Sequence, residues 1–341
     1  MKRSMVLLAL FIILVVTAAV SLTLGRFSLS IGDLAGALGF HAAGGPFPSG
    51  GGGGPGNILT TNILIDIRLP RITAAILIGA ALSVSGTAYQ SMFMNPLVSP
   101  GILGVLAGAS FGAALGMVMG KTWWIVQLSA FASGLIAVAA TLAFAALNRR
   151  DRLLMLILGG IISGSLFTSL LSIVKYLADP YEQLPAIIYW LMGTLSAIDR
   201  MTVTAVSSPI IIGVALLLLL SGYLNVLSMG DEEAQALGVN VVFLRYVFIF
   251  LATVISALTV VMGGIIAWVG LIIPHVSRMI VGPDNRVLLP ASALIGATYL
   301  LIADNIARLA FSVEIPIGIL TSLIGIPFFA FILRKSGKGW H

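Results

Sequence analysis

Residues 210–261 run from "IIIGVALLLLLSGYL" (210–224) through "GDEEAQALGVN" (230–240) to "YVFIFLATVISALTVV" (246–261). Two apolar runs flank a segment holding Asp231, Glu232 and Glu233, a quarter of the chain's twelve acidic residues. Crossing a hydrocarbon core of about 30 Å takes ~20 apolar residues at ~1.5 Å rise each. Runs of that length lack the two-residue alternation of barrel strands, so they are expected to be helices. The acidic segment between them is expected to be a polar connection with its own short helix. Ser228 three residues before Asp231 resembles a capping box in its aspartate form. Three acids sit in the first turn, where the helix dipole favours them. Gly238 suits a left-handed stop, and Asn240 suits the cap of a second short helix, "VVFLRY".

The same pattern fills the 341 residues. The chain is 59% hydrophobic and 9% charged, with mean hydropathy +1.11, where a soluble domain carries roughly 25% charged residues. The predicted fold class is an all-α polytopic membrane protein, one transmembrane domain over 1–341. Ten spans are expected near 5–25, 64–90, 101–120, 123–147, 153–176, 204–225, 245–266, 268–282, 287–309 and 316–334. The seventh and eighth are parted only by the glycine-rich "VMGGIIAWVG". A short interfacial helix, "LPAIIYWLMG", is expected before the sixth.

Ten spans put both termini on one side. Assigning the basic residues to alternate loops places eleven of the eighteen with the termini, led by "NRRDR" and "LRKSGK". The positive-inside rule makes that side cytoplasmic. The N-terminal apolar run exceeds a signal-peptide core, so an uncleaved first span behind Lys2 and Arg3 is expected.

Several chemistries are excluded or weakened. Cysteine is absent, which removes disulfides, thiol catalysis and thiolate metal sites. His41, His275 and His341 lie in a linker, a Pro-His helix start and the last position, with no Ser/His/Asp grouping. Lys175, Asp304 and Arg308 fall near span ends, so the midplane carboxylates of an ion-coupled carrier are not evident. The glycine-rich loop 41–57 has no Lys-Ser/Thr pair and reads as a linker. The net charge of +6 belongs to span flanks, and nucleic acid is not an expected partner. Small residues recurring in the spans let helix backbones approach closely.

Six motifs in order carry a resemblance: "IRLPRITAAILIGAALSVSGTAYQSMFMNPLVSPGILGVLAGASFG", "YWLMGTLS", "GDEEAQALGVN", "GGIIAWVGLIIPHVSRMIVGPDNRVLLP", "LIADNIARL" and "EIPIGILTSLIGIPFF". The chain resembles the FecCD-type permeases, membrane subunits of ABC importers for iron–siderophores, haem and cobalamin. The resemblance implies ten helices per subunit and an inner-membrane homodimer or close heterodimer. It also implies two cytoplasmic ATP-binding subunits and an extracytoplasmic substrate-binding protein. No cofactor is implied in this chain, since ATP and Mg belong to the partner ATPase. The stretch 228–245 then matches the coupling helices, with Gly230, Asp231, Glu232, Glu233, Ala234, Leu237, Gly238 and Asn240 meeting the ATPase. Arg68 and Arg308 match positions that meet glutamates of the binding protein. The translocation path and gate would include Ser163, Ser165, Thr168, Ser169, Arg150, Asp151, Thr321 and Ser322. An iron(III)–siderophore is the expected cargo, with haem, cobalamin and molybdate as alternatives. Met94 in "FMNPLVSP", the charged "NRRDRLL" and the long glycine-rich loop depart from the family pattern. The rival classes are a secondary carrier working without an ATPase and a membrane-embedded enzyme.

Overall fold

The fold was analysed in a computed structural model, which describes residues 3–25, 27, 32, 60–120, 122–147, 152–310 and 312–336. Among these residues the chain is helical throughout. Helix α1 is Arg3–Thr23, and a π-helical turn, Ile63–Arg68, leads into α2, Leu69–Met92. A 3₁₀ turn, Pro100–Leu103, precedes α3, Val105–Gly120. Next come α4 (Trp123–Ala146), α5 (Arg152–Leu177), α6 (Gln183–Leu191) and α7 (Arg200–Leu219). Two short helices, α8 (Ser221–Leu227) and α9 (Asp231–Ala236), lead to α10, Val241–Gly263. Helices α11 (Val269–Val281), α12 (Asn285–Leu309) and α13 (Ile317–Ser336) complete the order. Seven helices are long and apolar enough to span a bilayer, and α3, α11 and α13 are shorter apolar helices. Together they account for the ten expected spans, in a multi-pass membrane protein.

Helix α2 is the axis of the bundle: 78% of its span is buried, against 6% for α1. Its small residues allow this. A Cβ on Gly79 would collide with the Gly296 carbonyl of α12, and one on Gly86 with the Gly270 carbonyl of α11. Lipid supplies no hydrophobic drive between helices, so close backbone approach and interhelical hydrogen bonds hold them. Several such bonds radiate from α2. Ser85 pairs with Ser256 at 3.1 Å, Thr87 with Ser292 at 3.0 Å, Tyr89 with Thr253 at 3.0 Å, and Ser91 with Asn285 at 2.7 Å.

Two boundaries differ from the sequence reading. The sixth span breaks after Leu219, and α8 starts at Ser221, within what reads as one apolar run. The expected helix "VVFLRY" is not separate, because it forms the first turns of α10. The glycine-rich stretch does part α10 from α11: Gly264 (φ 68) and Trp268 (φ 71) both take positive φ. For a tryptophan that conformation is strained, and packing holds it, with the ring of Phe329 6.1 Å away edge-on. The helical segment before the sixth span is α6.

The start of α1 lies at the end of the bundle that carries α8 and Asp284. That end is tied together by polar contacts. Arg3 meets Asp284 at 2.7 Å, and Asn225 of α8 donates to Asp284 at 2.8 Å while accepting from the Asn285 amide at 2.8 Å.

Candidate functional site

Helix α9 has six residues, too few to hold helical shape alone. Its two ends are fixed by backbone chemistry. Gly230 (φ +118) is the N-cap, a conformation that favours glycine. At the far end the Val239 amide donates to the Ala234 carbonyl at 3.2 Å and the Gly238 amide to Gln235 at 2.9 Å. These are the two bonds of a Schellman stop, with Gly238 at φ +77 in the left-handed position. The Asn240 side chain then accepts from the Phe243 amide at 3.0 Å and caps α10. The expected capping role of Ser228 is corrected. Its hydroxyl donates back to the Asn225 carbonyl at 2.8 Å and closes α8, leaving the N-cap to Gly230.

The segment has an inner and an outer face. Ala234 is fully buried and joins the main core with Leu224, Leu227 and Val241. Glu232, Glu233, Gln235 and Ala236 are exposed. Around them Met229, Leu237, Phe243 and Tyr246 also present large apolar surface. Exposed apolar side chains here stand with Glu232 and Glu233 on one outer face. Asp231 is different, because it turns back to Arg245 at 2.7 Å.

At the opposite end lies a charged cluster. Arg71 grips Asp304 with both its Nε (2.9 and 3.0 Å) and its Nη2 (2.7 Å), and also pairs with Glu314. Arg308 donates to Asn305 at 2.6 Å, and Asn305 accepts as well from Ser21 at 2.8 Å. Arg68 donates to the Leu22 and Phe27 carbonyls. Arg68 is 3% exposed and Arg308 9%. The sequence reading expected both to meet the binding protein; within this chain each is engaged by its neighbours. Arg68 clamps the end of α1, and Arg308 is enclosed among its neighbours. The Arg71–Asp304–Glu314 set was missed from sequence. Its signal was the presence of ionisable groups inside apolar spans, which seldom go unpaired.

The wall assigned to translocation divides. Ser165, Thr168 and Ser169 line an open groove of about 540 Å³ with Gly101, Ile102, Gly160 and Gly164. Thr168 and Ser169 donate their protons to their own helix, at Gly164 (2.7 Å) and Ser165 (2.9 Å). They therefore present lone pairs, a surface that does not grip an anion. Ser163 and Thr321 are fully buried and do not line the groove: Ser163 donates to the Ala137 carbonyl of α4 at 2.7 Å, and Thr321 to Gly318 at 3.1 Å. Ser322 donates to Gly318 at 2.8 Å. Arg150 and Asp151, the glycine-rich loop 41–57, Lys2, Arg26, Lys121, Arg149, Lys338, His41 and His341 lie outside the described residues.

The FecCD transport family model matches residues 12–335. The molybdate import system permease protein MolB of Haemophilus influenzae is 39% identical over 334 residues, covering 98% of this chain and 96% of that protein. The cobalamin import system permease protein BtuC of Halobacterium salinarum is 39% identical over 277 residues, 81% of this chain and 74% of that one. Among solved structures, an inward-facing metal-chelate type ABC transporter superposes with a TM-score of 0.86 at 39% identity, covering 97% of this chain and 99% of that one.

Proposed function

The chain belongs to the FecCD transport family, and from that premise we propose that it is the membrane-spanning permease subunit of an importer driven by separate ATPase subunits, docked through α9. The observation that carries this is the outer face of α9 and early α10. Glu232 and Glu233 lie on a helix capped at both ends, with Leu237 exposed at its close and Phe243 exposed at the start of α10. The α9 end of the bundle is then cytoplasmic, with both termini, in the inner membrane. An extracytoplasmic binding protein delivers cargo to the end with Arg71 and Asp304. A second permease copy faces the open side of α5, where Ile161, Ile162, Leu166 and Ile173 are exposed.

For cargo, the proposal is an oxyanion of the molybdate class. The molybdate permease aligns over nearly this whole chain, whereas the cobalamin permease aligns over four-fifths. An iron chelate is the second reading, favoured by the structural likeness to a metal-chelate type transporter. The wall along α5, where Thr168 and Ser169 spend their protons on their own helix, suits either, since it offers passage without tight binding.

The test is reconstitution of the full importer in proteoliposomes with its binding protein. Uptake of labelled molybdate requiring ATP is the expected result, and uptake of a ferric chelate alone selects the second reading. Uptake without any ATPase subunit assigns the chain to the secondary carriers. Leu237→Glu with Phe243→Glu is expected to abolish co-purification of the ATPase, and full retention would remove α9 from the docking surface.

A further inference from the structure

Arg245 stands in the second turn of α10 with its side chain 5% exposed. Its Nη2 donates to Asp231 Oδ1 at 2.7 Å and its Nη1 to Oδ2 at 3.3 Å. Among the described residues these are its side-chain hydrogen bonds, and its Nε has no partner. Asp231 therefore supplies the counter-charge to a nearly dry guanidinium. A two-point contact between planar groups fixes orientation as well as distance.

The pair links positions fourteen apart in sequence and joins the first residue of α9 to α10. The other end of α9 is already tied to α10 through the Schellman stop and the Asn240 cap. Ala234 packs the middle of α9 into the core. With both ends held, α9 has no free rotation about the Gly238 turn.

We propose that Asp231 and Arg245 form a positioning pair that makes α9 and the N-terminal half of α10 one rigid lever. Asp231 is then an internal brace, while Glu232 and Glu233 are left for the partner. Movement of the ATPase is delivered to α10 without loss in the turn between the helices. This rests on the reading of α9 as the ATPase contact, although the rigidity itself is a property of this chain alone.

The natural absence of cysteine permits a direct test. Cysteines at exposed Gln235 and Phe250 carry spin labels, and their separation is measured in the purified permease and in the full complex. The background without further changes is expected to give one narrow distance, unchanged when the complex is trapped with ATP and vanadate. Asp231→Asn is expected to widen the distribution at least two-fold, and the exchange of Asp231→Lys with Arg245→Glu to narrow it again. A group that served only to fill space would not be rescued by exchanged charges. An unaltered width in Asp231→Asn overturns the proposal, as does a shifted distance in the trapped background complex. Loss of the ATPase from the labelled background still leaves the contrast in width to be read on the permease alone, whereas full ATPase retention by Leu237→Glu with Phe243→Glu overturns the docking reading instead.

Discussion

Gly238 and Asp304 are the two positions where one side chain decides most. At Gly238 a Cβ would meet nothing within 4 Å, so the constraint there is the φ of +77 and not space. A left-handed conformation costs a β-branched residue about 1–2 kcal/mol, whereas asparagine tolerates it. Gly238→Val is therefore expected to leave the spans inserted but to weaken ATPase retention, and Gly238→Asn to retain it. Co-purification of the two variants with the ATPase measures the difference. At Asp304 the side chain is 1% exposed and faces Arg71 at 8%. Removing one partner of a buried pair costs about 3–5 kcal/mol, because the other charge stays behind. Asp304→Asn should lower the thermal midpoint in detergent strongly. Glu314→Gln should do so less, since its side chain is 24% exposed. Equal shifts would show that Arg71 draws equally on both carboxylates.

Between elements, the polar knot at the α9 end gives a pH dependence with a definite sign. Asp284 lies in the loop before α12, outside the spans. The Asn225 amide, followed by the Arg286 backbone N–H and Arg3, holds its carboxyl below the usual carboxylate range, against a smaller opposing effect of burial. A depressed folded value means that the contribution is complete above about pH 4 and is lost as pH falls through the folded value. Attachment of the α1 start to α12 should thus be flat from neutral pH to about pH 5 and loosen only below about pH 4. Hydrogen exchange across residues 3–10 reads this, and Asp284→Asn should remove the acid step. The elements themselves were largely legible in sequence, because a twenty-residue apolar run has one structural solution in lipid. The break at Leu220 was not, since Leu219 and Leu220 continue the run and the nearest glycine, Gly222, falls inside α8 and not at the stop. The Gly238 stop and Asn240 cap were legible because they depend on neighbours in sequence. Arg71–Asp304 was hidden because its partners lie 233 positions apart. Arg245 was not singled out from sequence, though its brace to Asp231 is local, because a helix start and a helix turn fourteen residues later meet only once the Gly238 turn is closed.

At the scale of the molecule, the open side of α5 decides whether one chain is a complete path. The groove beside it is lined by two glycines a turn apart that differ sharply in what surrounds them. A Cβ on Gly160 would collide with the Ile102 carbonyl, so that glycine is part of the packing between α5 and the 3₁₀ turn. A Cβ on Gly164 would lie 3.9 Å from Gly104 and otherwise meet open space. Gly160→Leu should therefore destabilise the fold, by roughly 1–3 kcal/mol or more for a forced overpacking. Gly164→Leu should fold normally and place an apolar side chain in the groove. If the groove is half of a path shared with a second copy, two such side chains meet across the dimer axis and close it. The expected outcome for Gly164→Leu is an unchanged thermal midpoint, unchanged ATPase retention and ATP turnover, and uptake reduced at least ten-fold in the same proteoliposomes. Gly160→Leu should lose all of these together, which separates a blocked path from a damaged fold. Normal uptake in Gly164→Leu would place the path elsewhere than along α5, and the dimer would then have to be sought on another face.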